Sequence, residues 1–386
     1  VIRLLLTGLL ALLVTVWLYR RLVRLPGVRG RWAVAAGTVL ALLGVSTVGA
    51  FLVGGPLDPA WARPIGFVGF TWAAVVYYLL LGTVVIAIGR GAVRGIARLR
   101  RRSPVGPACA RATTIATAAV VLASLATAGY GLVEAAHPRI VEESVAIGNL
   151  PPEFDGARIA LVTDVHAGPA RGESFVASVV DEVNAQRPDA VVLGGDLTDG
   201  SVAHVGDDLR PMAELSAPLG VFAVSGNHEY YVDDGGSWLD FWETLGVRSL
   251  RNERVELRRG DGVIDLAGVH DRTAPEPYRP DYARALAGRD RDRPVILAAH
   301  QPKQAEDAAE YGVDLQLSGH THDGQMWPNT YLVALQQPVR AGWGRVDDVA
   351  VYVTRGAGAW GPPVRVLAPP EITVITLRSD RAHPSN

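Results

Sequence analysis

Four stretches of this 386-residue chain carry no charged side chain: Leu4–Tyr19, Trp32–Leu57, Pro64–Gly89 and Ala112–Val133. A segment that crosses a bilayer must satisfy its own backbone hydrogen bonds, and as a helix it needs roughly 20 apolar residues to cover ~30 Å of hydrocarbon. The last three stretches meet that length and the first is short. Together they predict a transmembrane region of four helices over residues 1–133, at about 4–19, 32–57, 64–89 and 112–133. The first is read as a retained helix, not a cleaved signal, because Arg20, Arg21 and Arg24 follow it with no small-residue cleavage pattern. Glycines such as Gly44, Gly49, Gly66, Gly69 and Gly82 allow close helix packing. None of the three long stretches contains Asp, Glu, Lys, Arg or His. Pumps and transporters normally display such groups, so the helices read as an anchor.

Charge is segregated along the chain. Residues 1–139 hold 15 Arg against two acids, Asp58 and Glu134, whereas the remainder holds 22 basic and 37 acidic residues, giving +13 and −15. The basic residues cluster between the first and second spans (Arg20, Arg21, Arg24, Arg29, Arg31) and between the third and fourth (Arg90, Arg94, Arg98, Arg100, Arg101, Arg102, Arg111). Short Arg-rich loops stay in the cytoplasm, so the chain after Val133 is expected outside, on the extracytoplasmic face of a multi-pass protein in a bacterial-type cell membrane. The same placement accounts for the Arg residues without nucleic acid, which is not expected as a partner. The single cysteine, Cys109, excludes a disulfide framework and a thiolate zinc site.

From about Ile140 the pattern changes to short apolar runs between polar turns, with a linker and first strand expected in 134–157 and an α/β domain over 158–386. Five runs end in polar motifs. Arg158–Thr163 leads into Asp164-Val165-His166, and Ala190–Leu193 into Gly194-Gly195-Asp196 and then Asp199. Val221–Val224 precedes Ser225-Gly226-Asn227-His228-Glu229, Val295–Ala299 precedes His300, and Val313–Leu317 precedes Ser318-Gly319-His320-Thr321-His322. Between the first two runs, Phe175, Val176, Val179, Val180 and Val183 recur at helical spacing and predict a covering helix. Polar residues just past the carboxyl ends of strands occupy the place where open α/β sheets put their sites.

Imidazole nitrogens with carboxylate and amide oxygens are what a pair of divalent metals takes, and two metals ~3.5–4 Å apart need a bridging ligand such as an Asp at a strand end. Five of the nine histidines fall in these positions. Taken singly, Asp-x-His is more often a turn beside a surface histidine, and Gly-Gly-Asp more often a turn that needs positive φ. Gly-Asn-His-Glu and Gly-His-Thr-His are more specific. The full set in this order favours a metal site.

The order Asp-x-His, Gly-Asp-x-x-Asp, Gly-Asn-His-Glu, His and Gly-His-x-His resembles the calcineurin-like metallophosphoesterase superfamily, over roughly Ile140 to Leu377. With a preceding anchor, Gly-His-Thr-His-x-Gly-Gln and a late Pro362-Pro363-Val364-Arg365, it is similar to the YkuE-like and YaeI-like membrane branch. The resemblance implies two central β-sheets flanked by helices, an αββα sandwich. It implies one metal on Asp164, His166 and His322, the other on Asn227, His300 and His320, and Asp196 bridging. His228 would lie beside the substrate phosphate as a catalytic residue, and Asp199 would be the carboxylate that orients the constellation. Asp323 stands where the branch usually has Gly.

The expected activity is that of a metal-dependent phosphohydrolase without a protein nucleophile, in which a hydroxide shared by the two cations attacks phosphorus. The expected substrates are phosphodiester or pyrophosphate groups, lipid-linked or belonging to cell-envelope precursors. General phosphomonoesters or nucleotide phosphodiesters are the alternatives within the enzyme class. A non-catalytic membrane binding or sensory protein is the alternative outside it. The mixed donor set suits Mn, Fe or Zn. Tyr230, Tyr231, Trp238, Phe241 and Trp242 are read as a core-packing helix face, with a lid touching lipid or substrate as the alternative. Gln325 is left between a substrate contact and a turn closure, and His270-Asp271 reads as a turn.

Overall fold

The computed structural model describes residues 2–24, 27–100 and 107–380; Arg101, Arg102 and the residues after Asp380, His383 among them, lie outside this set. Four helices come first: α1 (Ile2–Tyr19), α2 (Gly30–Ala50), α3 (Pro59–Leu99) and α4 (Pro107–Ala135). All four are long and apolar enough to cross a membrane. α1 continues as a π-helical turn over Arg20–Arg24, giving a 21-residue span from Leu4. The charge-free stretch alone is shorter because arginines can extend a helix whose end reaches the interface. Asp58 starts α3 by accepting the Ala60 N–H at 2.8 Å, with Pro59 at the first helical position. α3 then runs for 41 residues. Arg90, Arg94 and Arg98, expected from the sequence to lie in a loop, are therefore helical. Their spacing of four aligns them on one face, and neither a capping glycine nor a proline stops the helix before Arg100.

The rest of the chain forms two six-stranded sheets. The first contains β1 (Arg139–Ile147), β2 (Arg158–Val162), β3 (Ala190–Leu193), β4 (Val221–Ala223) and β5 (Arg248–Ser249), and the second contains β6 (Glu253–Arg259), β7 (Gly262–Gly268), β8 (Val295–Ala298), β9 (Leu315–Ser318), β10 (Gly342–Val346) and β11 (Val349–Val353). The last strand, β12 (Glu371–Ser379), returns to the first sheet, ordered β1-β12-β2-β3-β4-β5; the second is ordered β10-β11-β9-β8-β7-β6. β2, β3, β4 and β5 are parallel, as are β7, β8, β9 and β11. Strands covered on both faces read as continuous apolar runs, which explains why β2, β3 and β8 were visible in the sequence, whereas β9 alternates around Gln316.

The sheets pack face to face through Leu161, Val192 and Ile375 from one and Leu266, Ile296 and Leu317 from the other. Helix α5 (Glu173–Ala185) covers the outer face of the first sheet with Val176, Val179, Val180 and Val183, all buried. The result is an αββα sandwich. β1 begins just after α4 ends and pairs with β12 over nine residues, so the domain sits directly against the helices. Arg63 of α3 lies 2.6 Å from Asp208 and donates to the Gly168 carbonyl at 3.1 Å. On α4, the Gly131 carbonyl accepts the Arg365 N–H at 2.9 Å.

Candidate metal centre

Each motif occupies the turn after a strand. β2 delivers Asp164 and His166, β3 Asp196 and Asp199, β4 Asn227 and His228, β8 His300, and β9 His320 and His322. Bringing them to one point requires abrupt reversals of the backbone. Asp164 (φ 55°), His166 (49°), Asp196 (53°), His320 (69°) and His322 (49°) all lie in the left-handed region. That conformation disfavours non-glycine residues, and its concentration at one place marks a constrained site. Gly226 is needed for close approach, since a Cβ there would lie 2.2 Å from Asp196 Oδ1.

Two outer groups of donors result, linked by a third made of His166, Asp196 and His228. In the first, His166 Nε2 and His322 Nε2 are 3.0 Å apart, and Asp164 Oδ1 lies 3.9 Å and 3.3 Å from them respectively. In the second, His300 Nε2 lies 3.2 Å from both His320 Nδ1 and Asp196 Oδ2. Asp196 Oδ2 is also 3.9 Å from His166 Nε2, so this carboxylate stands between the groups. The donor atoms of Asp164, His166 and His322 lie within 4.8 Å of one another, as do those of Asp196, His300 and His320.

Whether these residues suit metals can be judged from their hydrogen bonds. Asn227 Oδ1 is buried and accepts no hydrogen bond, while its Nδ2 donates to Tyr231 Oη at 2.9 Å. A buried acceptor left this way is destabilising by about 1–3 kcal/mol unless something else fills its lone pair. His300 Nδ1 faces the Gly194 carbonyl at 2.9 Å, which fixes the proton on Nδ1 and turns the Nε2 lone pair inward. His166 Nδ1 is held by Asp199 Oδ1 at 2.9 Å with the same effect. Facing imidazole nitrogens, two carboxylates and an orphan amide oxygen fit a dinuclear cation centre.

The carboxylates and rings balance one another's charge: burial lowers the pKa of the His300 ring, but Asp196 and Asp164 outweigh it and raise it well above the ordinary histidine range. Burial pushes the Asp196 carboxyl up, but His300, His228 and His166 outweigh it and hold it well below the ordinary carboxylate range. Asp199 is likewise held ionised against burial by His166 and His228. Burial drives the His322 ring towards neutrality, to about 3, and the Arg365 charge adds to this. For His228, burial favours the neutral form, but Asp196 and Asp199 push it up to about 9.

His228 stands at the edge of the donors. Its Nδ1 is 2.6 Å from Asp199 Oδ1 and its ring packs 4.5 Å from Tyr231 and 5.8 Å from Trp360, centroid to centroid. With Asp196, Asn227 and His320 it lines a cavity of about 480 Å³. The aromatic segment divides: Trp238 and Trp242 are fully buried in the core, whereas Tyr231 borders the cavity. Gln325 closes a loop, donating to the Trp360 and Pro362 carbonyls and accepting the Trp360 N–H. Asp323 adopts the left-handed conformation (φ 53°), which Asp tolerates better than most residues. Its carboxylate lies between Arg355, at 3.1 Å, and Arg340, at 2.5 Å.

Two residues named within the sequence motifs were given no role there. Glu229 is fully buried and accepts the N–H groups of Asp196, Leu197 and Gly226 at 3.0, 2.8 and 2.7 Å, tying the β3 and β4 turns together. Its place after Asn227-His228 was the only sign of it. Arg365 is fully buried, donating to His322 Nδ1 at 2.9 Å and to the carbonyls of His322, Arg355 and Gly358. A lone charge in the apolar run after Trp360 was its signal.

Comparison with known proteins places this geometry. The calcineurin-like phosphoesterase family matches residues 157–324. A zebrafish (Danio rerio) transmembrane protein with metallophosphoesterase domain is 33% identical over 389 residues, covering 96% of this chain and 87% of that protein. A Helicobacter pylori metallophosphoesterase is 42% identical over 246 residues, covering 63% of this chain and 64% of the relative. The Bacillus subtilis metallophosphoesterase YkuE is 31% identical over 265 residues, covering 65% of this chain and 90% of that protein.

Proposed function

This chain belongs to the calcineurin-like metallophosphoesterase family, and from that premise we propose that it hydrolyses phosphodiester or pyrophosphate bonds of lipid or cell-envelope precursors at a membrane surface. One observation carries the reading: the two outer donor groups are linked through His166, Asp196 and His228, and Asp196 and His228 line one cavity. One cation is assigned to Asp164, His166 and His322, the other to Asn227, His300 and His320, with Asp196 between them. The mixed imidazole and oxygen donors favour Mn, Fe or Zn. When bound, the cations supply an acidified water as nucleophile and neutralise charge developing on the phosphoryl oxygens.

The chain's own residues do the rest. Asp199 orients His166 through Nδ1, so that its Nε2 points inward. Asp199 also fixes His228 through Nδ1, leaving Nε2 to face the cavity. There it donates to a phosphoryl oxygen and then to the leaving oxygen, a contribution typically worth ~10²–10⁴ in rate. Glu229 and Arg365 hold the turns in register.

The Arg-rich short segments support a cytoplasmic position for the α1–α2 and α3–α4 connections, with the catalytic domain on the opposite face. Lipid and envelope substrates follow from the domain's seat against the helices. The test is a substrate panel on the full chain: phosphodiester, pyrophosphate, monoester and nucleotide probes, each compared with His228→Ala. Metal-dependent turnover of diester or pyrophosphate, lost in the variant, is expected; preference for soluble monoesters or nucleotides replaces this reading with the alternative enzyme, and no turnover of any probe favours a binding protein.

A further inference from the structure

The catalytic domain meets α3 well away from that helix's end. Tyr77 Oη donates to Asn329 Oδ1 at 2.7 Å, and Tyr78 Oη donates to the Trp327 carbonyl at 3.1 Å. Arg90 is the first charged residue of α3 after Arg63. With Arg90 at one edge of the hydrocarbon, Tyr78 lies ~18 Å into it at 1.5 Å per residue. In a layer ~30 Å thick this is about 12 Å below the other edge. α4 provides an independent ruler, because Gly131, which bonds Arg365, lies ~30 Å from Arg111 and so marks that other edge. The backbone at Trp327–Asn329 therefore sits below the level where the domain meets the end of α4.

The composition of this part of the domain suits that depth. Gly324–Val339 contains no charged residue. Trp327, Tyr331, Leu332 and Leu335 are 44, 64, 58 and 84% exposed. An exposed apolar surface of this kind marks a membrane or partner contact, and Trp and Tyr favour the bilayer interface. The segment is also a wall of the metal cavity: Met326, Leu332 and Val333 line it together with Asn227, His228 and His320. One short stretch thus joins the bilayer to the centre.

We infer that residues 326–336 are embedded in the adjacent leaflet and form a lateral entrance to the metal cavity. The substrate class is a lipid phosphodiester or pyrophosphate whose hydrocarbon tail stays in the bilayer while its phosphoryl group reaches His228. The inference rests on the phosphohydrolase reading for its chemistry, but the depth of the segment is independent of it.

Two measurements on the full chain in phosphatidylcholine vesicles separate the cases. Leu335→Cys in a Cys109→Ser background, labelled with an environment-sensitive fluorophore, is expected to be quenched by lipid-borne spin labels and shielded from aqueous iodide. Quenching by iodide alone overturns the embedding. The double variant Tyr331→Lys/Leu335→Lys changes residues outside the cavity lining and places charge in hydrocarbon. Its hydrolysis of diacylglycerol pyrophosphate in the vesicles is expected to fall by about tenfold or more, while hydrolysis of soluble bis(p-nitrophenyl) phosphate stays within about twofold. Equal effects on both substrates overturn the lateral entrance. If the parent chain hydrolyses neither compound while the fluorophore is lipid-quenched, the phosphohydrolase reading and the substrate class fail and the embedding stands.

Discussion

Asp199 Oδ1 lies 2.6 Å from His228 Nδ1, and the same oxygen lies 2.9 Å from His166 Nδ1. One carboxylate therefore sets the ring orientation of His166 within the donor groups and of His228 at the cavity edge. Asp199→Asn keeps the volume and loses the charge. Metal affinity and kcat are both expected to fall, each by about 10–100-fold, as for other partners of ligating histidines. Metal titration beside steady-state kinetics checks this; unchanged metal affinity would remove Asp199 from the ligand's support.

Glu229 accepts three backbone N–H groups from the turns after β3 and β4. Glu229→Ala strands those donors in a buried place, at about 1–3 kcal/mol each if unrelaxed. A fall in Tm of several degrees or more is expected in thermal unfolding of the solubilised chain, with Glu229→Gln falling less. A Tm equal to that of the parent contradicts the role.

Gly226 has a narrower part. An added Cβ meets Asp196 Oδ1 at 2.2 Å, so Gly226→Ala must displace that carboxylate. The expected outcome is a folded chain, with an unchanged circular dichroism spectrum, whose turnover falls by about 10² because the bridging position has moved by a fraction of an ångström to 1 Å. Full activity would mean the turn relaxes without moving Asp196.

How much of this was legible depends on the kind of signal. The ends of β2, β3, β4 and β8 were readable because buried parallel strands make unbroken apolar runs and their motifs begin where the runs stop, whereas β9, broken by Gln316, was readable mainly through the Gly-His-Thr-His that follows it. The valines of α5 were readable through their helical period. By contrast, β1 pairs with β12 across more than 200 residues of chain, and nothing local announces it. The aromatic run Tyr230–Trp242 was ambiguous because periodicity cannot tell a core face from a cavity wall, and the structure uses Trp238 for one and Tyr231 for the other. Positive φ at Asp164 or His322 has no sequence signature, since only glycine advertises it. The reach of α3 past Gly89 was hidden because charged residues end an apolar stretch without ending a helix.

His270 provides a pH prediction outside the metal centre. It is buried, with Nδ1 3.0 Å from Tyr230 Oη. Burial, helped by Arg251 and Arg284, lowers its pKa from 6.5 to about 4. The unfolded chain then binds the extra proton first as pH falls. Its contribution is therefore complete above pH ~6.5 and is lost as pH drops towards 4, up to about 3 kcal/mol in total. Urea midpoints at pH 7 and pH 4.5 for the parent and His270→Asn check the sign: the variant should lose less stability on acidification. An identical acid loss in both would assign the effect to other groups.

The role proposed for Asp196, joining two donor groups into one hydrolytic centre, is tested most directly by elemental analysis. The purified full chain and Asp196→Asn are each measured for bound metal and assayed for phosphodiester hydrolysis on the same sample. About two metal equivalents are expected in the parent, with a clear loss in the variant and turnover that falls with the metal. Full turnover in Asp196→Asn, or in the parent stripped of metal, would contradict that role.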